Sequence, residues 1–209
     1  IPPMDGVGAN EAIVDVTHDA IDFLSGGEWL PANELNTWYH ILNCGFRLPM
    51  VGETDFPCLS ADRPGSGRSY VKLRRWPQGD EGYGAWVESM KRGRLYFGDG
   101  RSHFLDWNVN GVEAGEKPLL LPEGGRLVIA GTAAAWIEPT PTEETERIRR
   151  LAPFAFPQWH LERARIGASR EVAVELIVNG EPTGRTSLIA DGKPRPVRLE
   201  APITNVPAR

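Results

Sequence analysis

Apolar positions repeat with two different periods along this chain, helical in the first half and strand-like in the second. Leu35, Trp38, Tyr39 and Leu42 fall at i, i+3, i+4 and i+7, with Asn33 in a capping position and Gly45 placed to stop the helix they predict. Tyr83, Trp86, Val87 and Met90 repeat that spacing, which predicts a second helix from Gly82 to Lys91, stopped by Gly93. Ahead of both, Ala12 to Val16 and Ala20 to Leu24 read as short buried segments, the second ended by Ser25-Gly26-Gly27. Leu48-Pro49-Met50-Val51 leads into an acidic turn over Gly52 to Asp55, and a polar Gly/Pro loop from Ser60 to Gly67 precedes a strand over Arg68 to Leu73.

From Leu95 onward the period is that of strands, clearest at Leu127 to Ala130, Val172 to Val178 and Thr186 to Ile189. Asn110-Gly111, Glu123-Gly124-Gly125, Asn179-Gly180 and Asp191-Gly192 mark turns between them, and Asn179-Gly180 suits a type I′ turn because both residues accept positive φ. Pro139 to Glu144 reads as a linker, near 138–150, running into a short charged helix from Glu143 to Leu151. The composition shifts near Trp107, so the expected organisation is an α/β segment over 1–107 and a β-rich, sandwich-like module over 108–209. The expected fold class is α+β: a partial α/β segment followed by an antiparallel β-sandwich-like module.

Composition narrows the function classes. The chain has 209 residues, 41% of them hydrophobic, and no apolar run approaches the roughly 20 residues that span a bilayer, which reads as a non-membrane protein. A formal net charge of -5 argues against a nucleic-acid groove, and the basic runs Lys72 to Arg75 and Arg147 to Arg150 read as solvated faces. The opening Ile1-Pro2-Pro3 has neither a basic nor an apolar leader segment and reads as an internal cut, which leaves cytoplasm and periplasm equally open. Two cysteines, Cys44 and Cys58, do not make a disulfide framework, and Cys58, with no basic neighbour, reads as a buried structural thiol.

Candidate chemistry is carried by acids and two histidines. Glu53 and Asp55, at i and i+2, point to one face of an extended backbone, where they can hold a divalent cation or split acid and base roles; a polar turn ahead of Pro57 is the competing reading. His18 and Asp22 lie at i and i+4, which brings them together on a helix, and a carboxylate within Ile21-Asp22-Phe23-Leu24 either faces out or has a partner. His103 follows the glycine-rich turn Gly98-Asp99-Gly100-Arg101-Ser102, where Asp99 can orient its ring. The lipase-type serine motif, the phosphate-binding loop and the dinucleotide-binding glycine fingerprint are absent, and Gly65-Ser66-Gly67 lacks the helix that should follow such a loop.

Several of these stretches together resemble a family. Ala20 to Gly26, Leu42-Asn43-Cys44-Gly45-Phe46-Arg47-Leu48, Gly52-Glu53-Thr54-Asp55 and Gly93 to Gly100 look like the C-terminal part of a polymerase-and-histidinol-phosphatase (PHP) type domain, over roughly residues 10–107. The group is that of bacterial carbaryl hydrolase-like metallohydrolases. The resemblance implies a distorted α/β barrel that binds divalent metal (Zn, Mn or Mg) and hydrolyses esters, carbamates or phosphoesters with metal-activated water. It puts Asp22 where the family has a ligand Glu and Asp55 at the Asp of a Ser-Asp-x-His motif. Here that motif reads Thr54-Asp55-Phe56-Pro57, with proline in place of the ligand histidine, and the family's His-rich opening motifs have no counterpart. The implied site is therefore a reduced one: metal on Asp22, Asp55 and His18, and catalysis by Glu53, Asp55 and His103.

Two other readings compete. A carboxylate pair with abundant tryptophan (Trp29, Trp38, Trp76, Trp86, Trp107) is what a glycoside hydrolase needs for sugar stacking and acid-base cleavage. The β-rich half alone reads as a non-catalytic binding module, or one whose open strand edges pair in a homo-oligomer. For the enzymatic readings the expected partner is a small-molecule substrate.

Overall fold

The computed structural model describes residues 10–26, 31–54, 64–65, 67–76, 78–121, 124–152, 155 and 160–202. The fold is α+β, and the chain divides into two compact units, 1–98 and 99–209. Trp107 and Asn108, on either side of the composition shift, both lie in one strand of the second unit.

The first unit opens with α1 (Asn10–Thr17) and β1 (Leu24–Gly26). Ala12 to Val16, expected as a short buried segment, lies within α1 and is not buried, Val14 being 56% exposed. Ala20 to Leu24 is not buried either: Ala20 and Asp22 are exposed and Phe23 is 37% exposed. Next come α2 (Pro31–Asn43) and β2 (Met50–Gly52), which pairs parallel with β1 in the register Leu24 to Met50 and Gly26 to Gly52. Proline at the first helical position has no N–H to lose, so α2 starts before Asn33; Gly45, at φ 92°, ends it as expected. Its buried face centres on Thr37 and Ile41, while Trp38 is half-buried and donates its indole N–H to the Leu48 carbonyl at 2.6 Å.

The unit closes with β3 (Arg68–Val71), α3 (Glu81–Lys91) and β4 (Leu95–Gly98), β3 and β4 pairing antiparallel. Gly93, at φ 73°, ends α3. Met90 is the buried residue of α3; Tyr83, expected to face inward, is 75% exposed and stacks on Trp86 at 6.4 Å.

The second unit is built from β5 (Ser102–Val109), β6 (Val112–Glu113), β7 (Arg126–Ala135), β8 (Glu171–Val178), β9 (Glu181–Ile189) and β10 (Arg195–Pro202), with α4 (Glu143–Arg150) and a 3-10 turn (Leu161–Ala164) between β7 and β8. β10, β7, β5 and β6 form a four-stranded antiparallel sheet in that order, and β8 and β9 form a hairpin. Asn179 and Gly180 turn the hairpin with φ of 53° and 83°, the two positive values a type I′ turn requires. One core joins them: Ala133 and Ala135 of β7, Val172, Val174 and Leu176 of β8, Leu188 of β9, and Val197 and Leu199 of β10, with Ile137 fully buried beside them. A bulge between Leu105 and Asn108, with Asp106 at φ 55°, lets Trp107 lie against Gly131, close enough that an added Cβ would meet its ring at 2.9 Å.

The helix expected from Glu143 forms with Thr142 as its cap, the Thr142 hydroxyl accepting from the Thr145 N–H at 3.2 Å. Its first turn is acidic and its last basic, which suits the helix dipole, and Thr145 and Ile148 are buried. No described helix is long and apolar enough to cross a membrane.

Candidate functional site: the carboxyl edge of the parallel pair

β1 and β2 run parallel with α2 as the connection, so both strands deliver their carboxyl ends to the same edge. Glu53 leaves that edge directly after Gly52, and its N–H donates to the Gly26 carbonyl at 3.4 Å. Glu34, in the first turn of α2, comes to the same place: its Oε2 lies 3.5 Å from where a Cβ on Gly26 would stand. Gly26 therefore leaves room beside the Glu34 carboxylate, whereas the missing side chain of Gly52 makes room for Phe97 and the Arg68 backbone.

The turn after β2 is clamped from several sides. The Ser69 hydroxyl donates to the Gly52 carbonyl and accepts from the Gly52 N–H, each at 3.0 Å. The Thr54 hydroxyl accepts from the N–H groups of Gly65 and Gly67, both at 3.1 Å, and lies 3.2 Å from the Gly67 carbonyl oxygen. Gly67 cannot carry a side chain, because a Cβ would run into the Glu53 carbonyl group. Gly65 and Gly67 thus serve as a backbone brace for Thr54, which explains a glycine-rich loop with no helix after it. Thr54 turns into this brace, and Glu53 next to it is half-buried.

The other expected site residues are dispersed. Asp22 lies before the amino end of β1 and pairs with Lys91 of α3 at 2.9 Å, both side chains about half exposed. That hydrogen bond, and then the charge of Asp22, raise the Lys91 pKa above its ordinary value. His18 is exposed in the turn after α1, and with Asp19 at φ 54° the segment from His18 to Asp22 is not helical, so their i, i+4 spacing does not bring them together in the way expected. His103 is a strand residue of β5 in the second unit, opposite Ala134. Asp99 does not serve as its orienting partner in any described contact: its two carboxylate oxygens accept the N–H groups of Arg101 at 2.9 Å and Leu161 at 3.1 Å. Asp55, Pro57 and Cys58 lie outside the described residues.

Among the described residues no three His, Cys, Asp or Glu side chains gather to hold a metal ion, so Glu34 and Glu53 by themselves do not fit one. Of the tryptophans among the described residues, Trp38 and Trp107 are packed, Trp76 is 83% exposed, and Trp86 lies partly exposed beside Tyr83. The sequence reading passed over Glu34; the available signal was an acid in the first turn of a helix that connects two strands. No known protein family, curated protein or solved structure matches this chain.

Proposed function

We propose that this chain carries part of a hydrolase for an ester, carbamate or phosphoester, with the acidic edge of β1 and β2 as its site. The observation that supports the reading is that the Glu34 carboxylate and the backbone of Glu53 both meet Gly26, at the carboxyl ends of two parallel strands, where α/β arrangements bind ligands. Glu53, held by a clamped backbone, is the general base: it takes a proton from water as the water oxygen bonds to the substrate carbonyl or phosphorus, and the departing oxygen recovers a proton. Asp55, two residues on in the sequence, is the second acid of this reading.

The resemblance to PHP-type metallohydrolases extends the reading. In it the first unit is a portion of a distorted α/β barrel, and the second is a β-sandwich-like module in which the β8–β9 hairpin covers part of the four-stranded sheet. A divalent Zn, Mn or Mg ion then needs ligands beyond Glu34 and Glu53, with Asp55 the first candidate.

The test is metal analysis of the purified chain with a screen of nitrophenyl esters, carbamates and phosphoesters on wild type, Glu53→Gln and Asp55→Asn. Turnover in the wild type that drops on the order of a hundredfold or more in Glu53→Gln is expected. No turnover by the folded chain rejects the hydrolase, and turnover equal to the wild type in both variants rejects the acidic edge as its site. Activity in metal-free protein that ignores chelator removes the metal and keeps the acid-base site.

A second reading, a non-catalytic β-sandwich-like binding module, is favoured by one feature: an open cavity of about 380 Å³ on the sheet of the second unit, lined by Phe104, Trp107, Val112, Leu119 and Ile129 among others. A metabolite and glycan screen against the intact chain separates it from the hydrolase.

A further inference from the structure

Arg101 and Arg170 stand apart from most arginines of the second unit. Arg126, Arg147, Arg195 and Arg198 each meet a carboxylate oxygen within 2.9 Å. Among the described residues Arg101 and Arg170 have no carboxylate partner, and they converge instead on one ring: their guanidinium carbons lie 5.9 and 6.0 Å from the centre of Trp136, which is 42% exposed. Backbone bonds hold the trio in place. The Trp136 N–H donates to the Arg101 carbonyl at 2.9 Å, the Ile137 N–H to the Ala190 carbonyl at 3.1 Å, and the Ala190 N–H to the Arg170 carbonyl at 2.8 Å. Arg170 also donates Nε and Nη2 to the Ile137 carbonyl, which fixes its head.

Two cations sharing one aromatic ring repel each other, and the ring's electron-rich face offsets only part of that repulsion. The neighbouring acids are already occupied. Asp191, whose backbone bridges to Trp136, is held by both Nη atoms of Arg195 and by the Lys193 N–H. Asp99 accepts two backbone N–H groups.

We propose that Arg101, Trp136 and Arg170 form a binding site for an aromatic carboxylate, independent of the hydrolytic reading. The ligand ring stacks on the exposed indole, and its carboxylate takes the planar donor fork of Arg101 with the remaining Nη1 of Arg170. Because Arg170 already spends two donors on Ile137, a small singly charged anion suits the site better than a phosphate.

The test follows the Trp136 indole N–H by NMR in the full chain, identified by its loss in Trp136→Phe, during titration with 2-naphthoate, 2-naphthalenemethanol and inorganic phosphate. A saturable shift with 2-naphthoate, absent with the neutral alcohol and with phosphate, is expected. Arg101→Gln should weaken it about tenfold, the loss of a charge-assisted pair. Arg101→Lys, which keeps the charge but not the fork, should fall between and guards against a misfolded Gln variant. No saturable shift below ~10 mM, the weak end of specific binding, overturns the proposal. Equal responses to the alcohol or to phosphate, or unchanged affinity in both folded Arg101 variants, do so as well.

Discussion

Arg165 closes two hydrogen bonds on Glu162, Nε to Oε2 at 2.6 Å and Nη2 to Oε1 at 2.8 Å, with both side chains almost wholly out of solvent. The remaining donors reach the Ser169 and Glu138 carbonyls at 2.6 and 2.8 Å, so one guanidinium ties the 3-10 turn to the segments on either side of it. Removing one member strands the other charge. Glu162→Ala is expected to cost about 3–5 kcal/mol in urea unfolding, the usual penalty for an orphaned buried ion. Glu162→Leu with Arg165→Met should recover part of that, short of full recovery because two carbonyls lose their donor. A single-variant loss near zero would mean that the pair is hydrated in solution.

The turn carrying this pair also contains a pH-sensitive contact. The Glu162 N–H donates to Nδ1 of His160 at 3.1 Å, which needs an unprotonated nitrogen. Burial, and then the charge of Arg101, hold the His160 pKa below its ordinary value, against smaller opposing effects of Asp99, Glu162 and Glu144. A depressed imidazole favours the neutral form in the fold, so its contribution is complete above about pH 6.5 and is lost as pH falls through the folded value. Urea midpoints should therefore drop as the pH falls below about 6.5, and His160→Asn, which keeps a capping oxygen but does not titrate there, should flatten that slope. Burial raises the Glu162 pKa, but the Arg165 hydrogen bond and charge with smaller contributions together carry it below its ordinary value, and the Arg195 hydrogen bond lowers that of Asp191, so both carboxylates add their acid losses at lower pH.

Close approach of backbone and ring gives a third expectation. Gly131 leaves room for Trp107, which meets Phe104 edge to face at 5.4 Å. Gly131→Ala puts a methyl group 2.9 Å from the ring and 3.0 Å from the Leu105 carbonyl oxygen, and overpacking of this kind costs about 1–3 kcal/mol. A lower melting temperature with a shifted tryptophan emission is expected; an unchanged pair of readings would show that the ring has space to move.

What the sequence disclosed follows from which forces act locally. Gly45 and Gly93 marked helix ends because the left-handed backbone they adopt is cheap only for glycine, and Asn179-Gly180 marked its hairpin for the same reason. The apolar run in α1 suggests burial, yet Val14 is 56% exposed, because what covers a short helix is a tertiary fact. Spacing found α3 but not its orientation: Tyr83 fits the apolar stripe yet lies outside. At the site, Glu53 was readable as an acid after a strand, whereas Glu34, distant in sequence, joins it only through the β1–β2 register. Arg101 sat inside the glycine-rich turn that drew attention to Asp99 and His103, and nothing local announced that Arg170 would meet it.

The separation of Asp22 from Glu53 yields the sharpest comparison. Asp22 precedes β1 and is engaged by Lys91 at the surface, whereas Glu53 follows β2 at the opposite end of the parallel pair. If the acidic edge hydrolyses substrate, Glu53→Gln removes the base and lowers kcat on the order of a hundredfold or more with the fold intact, since the backbone clamp on Gly52 and Thr54 does not use that side chain. Asp22→Asn breaks an exposed ion pair, which contributes little in water, and should leave kcat and the melting temperature within error. Circular dichroism checks that both variants fold. A kcat loss in Asp22→Asn equal to that in Glu53→Gln would move the site to the amino end of β1 and restore Asp22 as a ligand; a loss in neither variant would remove the acidic edge from the chemistry.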